Sequence, residues 1–287
     1  MSSRIPISVV IPTRNEGRNL ERCLAPLAGW ADEIVVVDSG STDETVAIAK
    51  RHGAAVLLFK YRGGWPKKRQ WALDTYGFRN EWVLLLDADE ILDEQLRAEI
   101  AGAVTRGDRD GFWLRFRVFF LGRQLRFGGT ELWKLCLFRR GKGSYEQRLA
   151  AQDPSMADIE VHEHVVVSGP VGRLRAPVRH ENVNSLDRYI AKHNEYSNWE
   201  AAVLLEGSDG AVRPSLFGSQ AQRRRWLKRS FVGVPGSPLA LFVLKYIFQL
   251  GFLDGRAGLI YCGLQAVQLF HTKAKMLERR RTRAGAR

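Results

Sequence analysis

The sequence predicts an α/β protein: an open sheet with helices on both faces, continued at its C-terminal end by basic amphipathic helices. Two observations predict it. Through the first 110 residues, short apolar runs alternate with stretches of helical period, the pattern of parallel strands covered on both faces. The net charge of +13 is also uneven. Residues 223–287 hold 14 Lys and Arg against Asp254 and Glu278, a balance of +12, which leaves +1 for the other 222 residues. At 287 residues, 45% apolar and 26% charged, the chain has enough material for a sizeable core and the composition of an ordinary globular protein.

The elements follow in order. "ISVVI" (7–11) reads as a buried strand, and a polar loop leads from it into the helical "NLERCLAPLAGW". "EIVVV" (33–37) is the second strand, and "DETVAIAKRHG" a helix with an acidic start that stops at Gly53. "AAVLLF" is the third strand, a Gly-Gly-Trp-Pro break opens another helix, and "WVLLL" (82–86) is the fourth strand. From about residue 111 the pattern changes: "GFWLRFRVFF" and "LWKLCLF" read as amphipathic strands, "IEVHEHVVV" as a further strand, and 184–205 as a long helix. "EGSDGAVRPS" is then a linker. In 239–270 two apolar arms flank the turn signal "LDGRAG". Each arm is too short to cross a bilayer and Lys245 interrupts the first, so the expectation is a helical hairpin. Basic clusters bracket it, Arg223 to Arg229 before and Lys273 to Arg287 after. That suits a hairpin lying in a membrane interface, with a pair packed on the sheet as the alternative.

Ligands of open α/β sheets bind at the carboxyl ends of the strands. Here those ends carry "PTRNE", "DSGSTD" and "DADE". No G-x-G-x-x-G follows the first strand and no G-x-x-x-x-G-K-[ST] is present, so neither a typical dinucleotide site nor a P-loop is indicated. Cys23, Cys136 and Cys262 are scattered without metal-ligand spacing, which fits buried thiols in a reducing compartment. The amino-terminal residues lack a signal-peptide layout, so a cytoplasmic location is expected.

"WVLLLDADE" sets a physical problem, because Asp87, Asp89 and Glu90 crowd like charges at a strand end. A divalent cation with hard oxygen ligands, bridging two phosphates, would supply the missing positive charge and neutralise a departing diphosphate. Asp93 and Glu94, by contrast, suit an acidic first helical turn.

"VVIPTRNEGRNLERCLAPL", "EIVVVDSGSTDETVAIAK" and "WVLLLDADE" resemble the amino-terminal half of family 2 glycosyltransferases of the GT-A fold. "GFWLRFRVFFLGRQLRFGG", "KLCLFRRGKGSYE", "VHEHVVVSG" and "GFLDGRAGLIY" are similar, more narrowly, to the lipopolysaccharide-core β-1,4-glucosyltransferase group. The resemblance implies a Rossmann-like mixed sheet over residues 1–205, with a nucleotide-sugar half to about 110 and an acceptor half from about 111. Residues 206–287 form the basic extension. It also implies an inverting enzyme that uses Mg²⁺ or Mn²⁺ to move a sugar, glucose by this likeness, from a UDP-sugar to an anionic membrane glycolipid such as a lipopolysaccharide inner core. Such an enzyme would sit peripherally on the inner face of the cytoplasmic membrane.

The same likeness implies roles. Pro12, Thr13 and Glu16 line the uracil and ribose pocket, Asp38 bonds the uracil, and Arg69 approaches the base or diphosphate. Asp87 binds the ribose or a metal-held water, and Asp89 the metal. Gln70 stands where relatives often carry Asn. Inversion needs a carboxylate to take the acceptor's proton; the likeness favours Glu163, with His164 as alternative and His162 as its other neighbour. His180 resembles a histidine that completes the metal site in some relatives, against the commoner role of a hydrogen-bonded structural residue. "QRRRW" (222–226) matches Q-x-x-R-W of processive synthases, yet in so arginine-rich a run it reads better as a basic membrane-facing patch with Trp226 as anchor. Two other functions fit parts of the chain. Polyprenyl-phosphate or exopolysaccharide glycosylation would need only a different second half. A nucleic-acid-binding module would use the basic tail, but the tail's aromatics are not interleaved with its arginines and the acidic rim repels a polyanion, so no nucleic acid is expected.

Overall fold

A computed structural model describes residues 4–149, 151–161, 163–207 and 210–285. In chain order the strands are β1 Ile5–Thr13, β2 Ala31–Asp38, β3 Ala55–Leu58, β4 Trp82–Leu85, β5 Glu90–Ile91, β6 Gly111–Phe120, β7 Arg123–Gln124, β8 Leu132–Arg139, β9 Gly143–Tyr145, β10 Val165–Val167 and β11 Val171–Glu181. The helices are α1 Gly17–Leu24, α2 Thr45–Arg51, α3 Lys68–Thr75, α4 Glu94–Arg106, α5 Leu186–Glu206, α6 Gln220–Val232, α7 Ser237–Val243 and α8 Gly255–Gly285.

The main sheet runs β3-β2-β1-β4-β8-β6-β11-β5, with β7 paired to β6. The first four strands are parallel. β8 is antiparallel to both neighbours, β4 and β6, while β11 runs parallel to β6. The sheet is therefore mixed. The continuous apolar runs explain its parallel half: Val9, Val10, Ile11, Val35, Val36, Val37 and Leu84 are fully buried. Each such side chain contributes about 1.5–3 kcal/mol of transfer free energy. Asp93 caps α4 by accepting from the Leu96 amide at 2.8 Å, and Gly107 ends that helix at φ +64°, a left-handed geometry that glycine adopts without strain.

Two expectations change in the second half. The strand expected over 159–167 survives only as β10, and residues 159–161 and 163–164 are irregular. Their alternation arises because the acidic members turn inward to basic partners. "VGRLRAPVRHE", not recognised as a strand, forms β11, with its pairing to β6 broken between Arg173 and Pro177, where proline has no amide to donate.

The apolar arms meet at a bend of 73° between Ser237–Phe248 and Gly251–Ala284, short of the reversal a hairpin needs. The turn begins before "LDGRAG", at Leu250 with φ +59°, and runs into it through a 3₁₀ turn at Gly251–Asp254. The body dictates this elbow. The Asp254 carboxylate accepts from the amides of Arg126 and Phe127 at 3.0 and 2.9 Å, and the Gly128 amide donates to the Gln249 carbonyl at 2.8 Å. No single helix among the described residues is long and apolar enough to cross a membrane, although the bent pair together is. α8 packs along α5, where Thr272 Oγ1 donates to Glu200 at 2.9 Å. The outer side of the elbow leaves Leu239, Ile247, Phe248, Phe252, Leu253 and Leu259 exposed.

Candidate active site

The loops after β1 and β2 are knitted together. The Asn15 amide donates to Ser41 Oγ at 2.7 Å, the Thr42 amide to Asn15 Oδ1 at 2.6 Å, and the Glu16 amide to Thr45 Oγ1 at 2.7 Å. Asp38 holds the second loop. Its Oδ1 accepts from Thr13 Oγ1 at 2.9 Å and Ser41 Oγ at 2.5 Å, and its Oδ2 from the Gly40 and Ser41 amides at 2.8 Å each. A carboxylate has about four acceptor positions, and here the protein itself takes all four.

Beside these loops lies a cleft of about 540 Å³ walled by Arg14, Ser39, Gly40, the 58–61 segment, residues 154–156, Asp158 and Glu195. A cleft of this volume accepts a small-molecule ligand. Pro12, Thr13 and Asp38 are buried behind it rather than in its wall, and Glu16 turns toward the start of α5, accepting from Asn19 and Asn184 at 2.7 and 3.0 Å.

At the end of β4, Asp87, Asp89 and Glu90 present carboxylate oxygens within 4.8 Å of one another. Cations already gather there. Arg69, on the first turn of α3, pairs with Asp87, and Lys134 of β8 reaches Asp87 at 3.2 Å and Glu90 at 2.6 Å. His180, opposite Glu90 in the β11–β5 ladder, places Nε2 at 3.4 Å from Asp89. Burial disfavours charge on all three carboxylates, yet Arg69 and Lys134 hold Asp87 well below the usual carboxylate range, and His180 lowers Asp89. Glu90 goes the other way, raised by burial and by the charge of Asp87 despite Lys134. Asp87 is thus occupied by two cations, and Asp89 with His180 is the pair left to share an ion. The residues fit a divalent metal. One hard carboxylate and one imidazole nitrogen, Nε2, face each other, and the ring's other nitrogen, Nδ1, is buried with no hydrogen-bond partner among the described residues, so the histidine is only half satisfied by the protein.

Glu163 lies under the start of α3. Lys67 Nζ donates to its Oε2 at 3.0 Å, and both side chains are closed to solvent. Its Oε1 is buried and has no hydrogen-bond partner among the described residues. Burial pushes Glu163 up to about 7, with Lys67 opposing. Trp199 of α5 covers Lys67, its ring centroid 4.7 Å from Nζ. Glu160 sits alongside, its carboxylate accepting from the Arg69 and Gln70 amides at 3.2 and 2.9 Å; it caps α3 and thereby aims Arg69. His164 keeps away from this group, its amide bonded to Glu146 at 2.9 Å and its ring driven down to about 4 by burial and Arg225. His162 lies outside the described residues.

The structure therefore brings Arg69, Asp87, Asp89 and His180 together, and links Glu163 to them through α3's first turn, where Lys67 holds Glu163 and Arg69 holds Asp87. "QRRRW" corrects one expectation. Gln222 closes a capping box with Ser219, and Arg225 points inward to a buried pair with Glu146, so only part of that run can face outward. Lys67, Lys134, Glu160 and Lys192 went unrecognised in the sequence. Lys134 carried one signal, a lone cation inside the apolar "LWKLCLF".

Residues 8–160 match the model of the family described as Glycosyl transferase family 2. The lipopolysaccharide core biosynthesis glycosyltransferase LpsC of Rhizobium meliloti (strain 1021) is 30% identical over 96% of this chain and 95% of its own length. An uncharacterized glycosyltransferase of Rickettsia conorii (strain ATCC VR-613 / Malish 7) is 28% identical over 70% of this chain and 71% of its own. Among solved structures, S. aureus TarS 1-349, crystallised in complex with UDP-GlcNAc, superposes with a TM-score of 0.50. It is 16% identical and covers 97% of this chain and 92% of that one, a likeness of fold.

Proposed function

The chain belongs to glycosyltransferase family 2 and has the GT-A fold, and from that premise we propose that it is an inverting transferase. It moves a hexose, glucose in the first instance, from a UDP-sugar to a membrane-held anionic glycolipid of the lipopolysaccharide-core kind, at the inner face of the cytoplasmic membrane. The observation that carries this reading is that the first turn of α3 holds two chemistries. Through Arg69 it pairs with Asp87 of the acidic cluster that includes the Asp89–His180 pair suited to Mg²⁺ or Mn²⁺, and through Lys67 it holds a buried glutamate whose second oxygen has no hydrogen-bond partner among the described residues.

In this reading the nucleoside occupies the cleft beside Ser39 and Asp158, and Asp38 shapes the loop that borders it. Asp89 and His180 would hold a divalent metal, which would supply positive charge to the diphosphate. Arg69, fixed by Glu160 and Asp87, offers a planar guanidinium to phosphate oxygens. Glu163, poised near neutrality, takes the acceptor hydroxyl's proton, as a base with a pKa close to working pH does best. An acceptor hydroxyl meets it only after the segments packed on the Lys67–Glu163 pair shift, α5 through Trp199 and the loop through Ile159.

The exposed apolar elbow and the +12 tail support the membrane side of the reading, since an anionic bilayer accepts the one and attracts the other. Calorimetric titration of UDP, GDP and dTDP, each with Mn²⁺ and with EDTA, tests the donor. The expected outcome is metal-dependent binding selective for UDP. Absence of nucleotide binding under every condition would overturn it.

A further inference from the structure

Helix α5 is fastened across the rim of the site. Asn184 Nδ2 donates to Glu16 at 3.0 Å, the Arg188 guanidinium donates to the Arg14 carbonyl at 2.5 Å, and Trp199 closes over Lys67. Lys192, Tyr196 and Trp199 recur at spacings of four and three, which puts them on one face of the helix. Trp199 is fully buried, whereas the Lys192 side chain is 38% exposed at the open end of that face.

The cations paired with rim carboxylates differ in how firmly they are held. Lys67 is bound to Glu163 at 3.0 Å, Lys68 to Asp158 at 3.0 Å, and Lys134 to Glu90 at 2.6 Å; Arg69 pairs with Asp87 and bonds the Glu160 carbonyl. Lys192 stands 3.6 Å from Glu16 Oε1, beyond hydrogen-bond reach. Glu16 in turn has Asn19 and Asn184 on its other oxygen and keeps those partners if Lys192 leaves. Tyr196, then Glu16, Asp89 and Asp87, hold the Lys192 ammonium protonated above the usual lysine range, so it carries its charge throughout the working pH range. Of these five cations it is the one that changes partner at least cost.

We propose that Lys192 is a catalytic residue that receives the departing diphosphate, turning from Glu16 to the β-phosphate as charge grows there. This rests on the UDP-sugar reading of the donor site. As the bond from the anomeric carbon to the β-phosphate oxygen breaks, its electron pair stays on that oxygen. The acceptor oxygen forms the new bond and its proton passes to Glu163. A charge aimed at the developing oxyanion acts mainly in the transition state, and loss of one such group costs about 10²–10³ in rate.

The test compares the full chain with Lys192→Gln and Lys192→Arg, all with Mn²⁺. Steady-state transfer is measured from UDP-glucose, and calorimetric affinity for UDP and for uridine. Lys192→Gln is expected to lose about 100-fold or more in kcat, with a smaller change in the donor KM, weaker UDP binding and unchanged uridine binding; Lys192→Arg recovers most of the rate. A kcat within about threefold of the unaltered protein would overturn the proposal. So would equal loss of UDP and uridine affinity, the mark of a lysine that only braces α5. Failure of the unaltered protein to bind UDP is a separate result, and would remove the donor reading itself.

Discussion

Replacing Lys67 with Met should move the pH profile of transfer without touching the substrate. The two charges of the Lys67–Glu163 pair lie 3.0 Å apart and closed to solvent. At an effective dielectric of about 20 their attraction is about 5.5 kcal/mol, or about four pKa units at 1.36 kcal/mol each. If relaxation and water entry return about half of that, Glu163 rises by about two units above its present value of about 7. The assay is kcat/KM for sugar transfer between pH 5 and 10, which reports the free enzyme's base. The unaltered protein should lose activity as pH falls through about 7; the variant should lose it through about 9 and recover at pH 10. Stability gives an independent readout. A carboxyl with a raised pKa stabilises the fold below its unfolded value near 4.5, and that contribution is lost as pH rises through the folded value. In the variant the loss should therefore continue to about pH 9, so that its thermal midpoint falls between pH 7 and 9 more than that of the unaltered protein. An acid limb that stays near 7 in a folded variant would refute the assignment of Glu163 as base.

Asp89→Asn should leave the fold intact, reduce transfer by at least about 10²-fold, and remove the Mn²⁺ dependence of UDP binding measured by calorimetry. Arg225→Met strands Glu146 in a buried pair whose side chains are 7% and 1% exposed. A cost of about 3 kcal/mol should appear as a melting point lowered by roughly 6–12 °C. Phe248→Asp, at a position 74% exposed on the elbow, should weaken sedimentation with anionic vesicles by roughly 30-fold, the equivalent of about 2 kcal/mol of lost apolar burial, while leaving UDP binding unchanged.

The parallel half of the sheet was legible because its strands are buried on both faces and read as unbroken apolar runs, each ending in polar residues on one rim. β11 was not, because its charged residues alternate around Pro177 and imitate a loop, while the ladder shifts register over residues 174–176 and resumes at Pro177, opposite Arg115. The segment 159–164 misled in the opposite sense. Its period-two alternation imitates a half-exposed strand, yet Glu160 and Glu163 face the interior, where α3's amides and Lys67 receive them. The acidic members of the site could be found by motif and position. Of their cations Arg69 was found by likeness, but Lys134 and Lys192 were not: they are single residues in an apolar strand and a long helix, and only the fold brings them to the carboxylates. Asp38 was found, but its four internal hydrogen bonds belong to tertiary structure alone.

The most direct test of the whole account is transfer of label from UDP-[¹⁴C]glucose, with Mn²⁺, to a purified deglycosylated core lipid in anionic vesicles, with polyprenyl phosphate offered in parallel. The account predicts label in the core lipid with the unaltered protein and none with Glu163→Gln, although that variant still binds UDP. Label in polyprenyl phosphate alone, or undiminished transfer by Glu163→Gln, would contradict it.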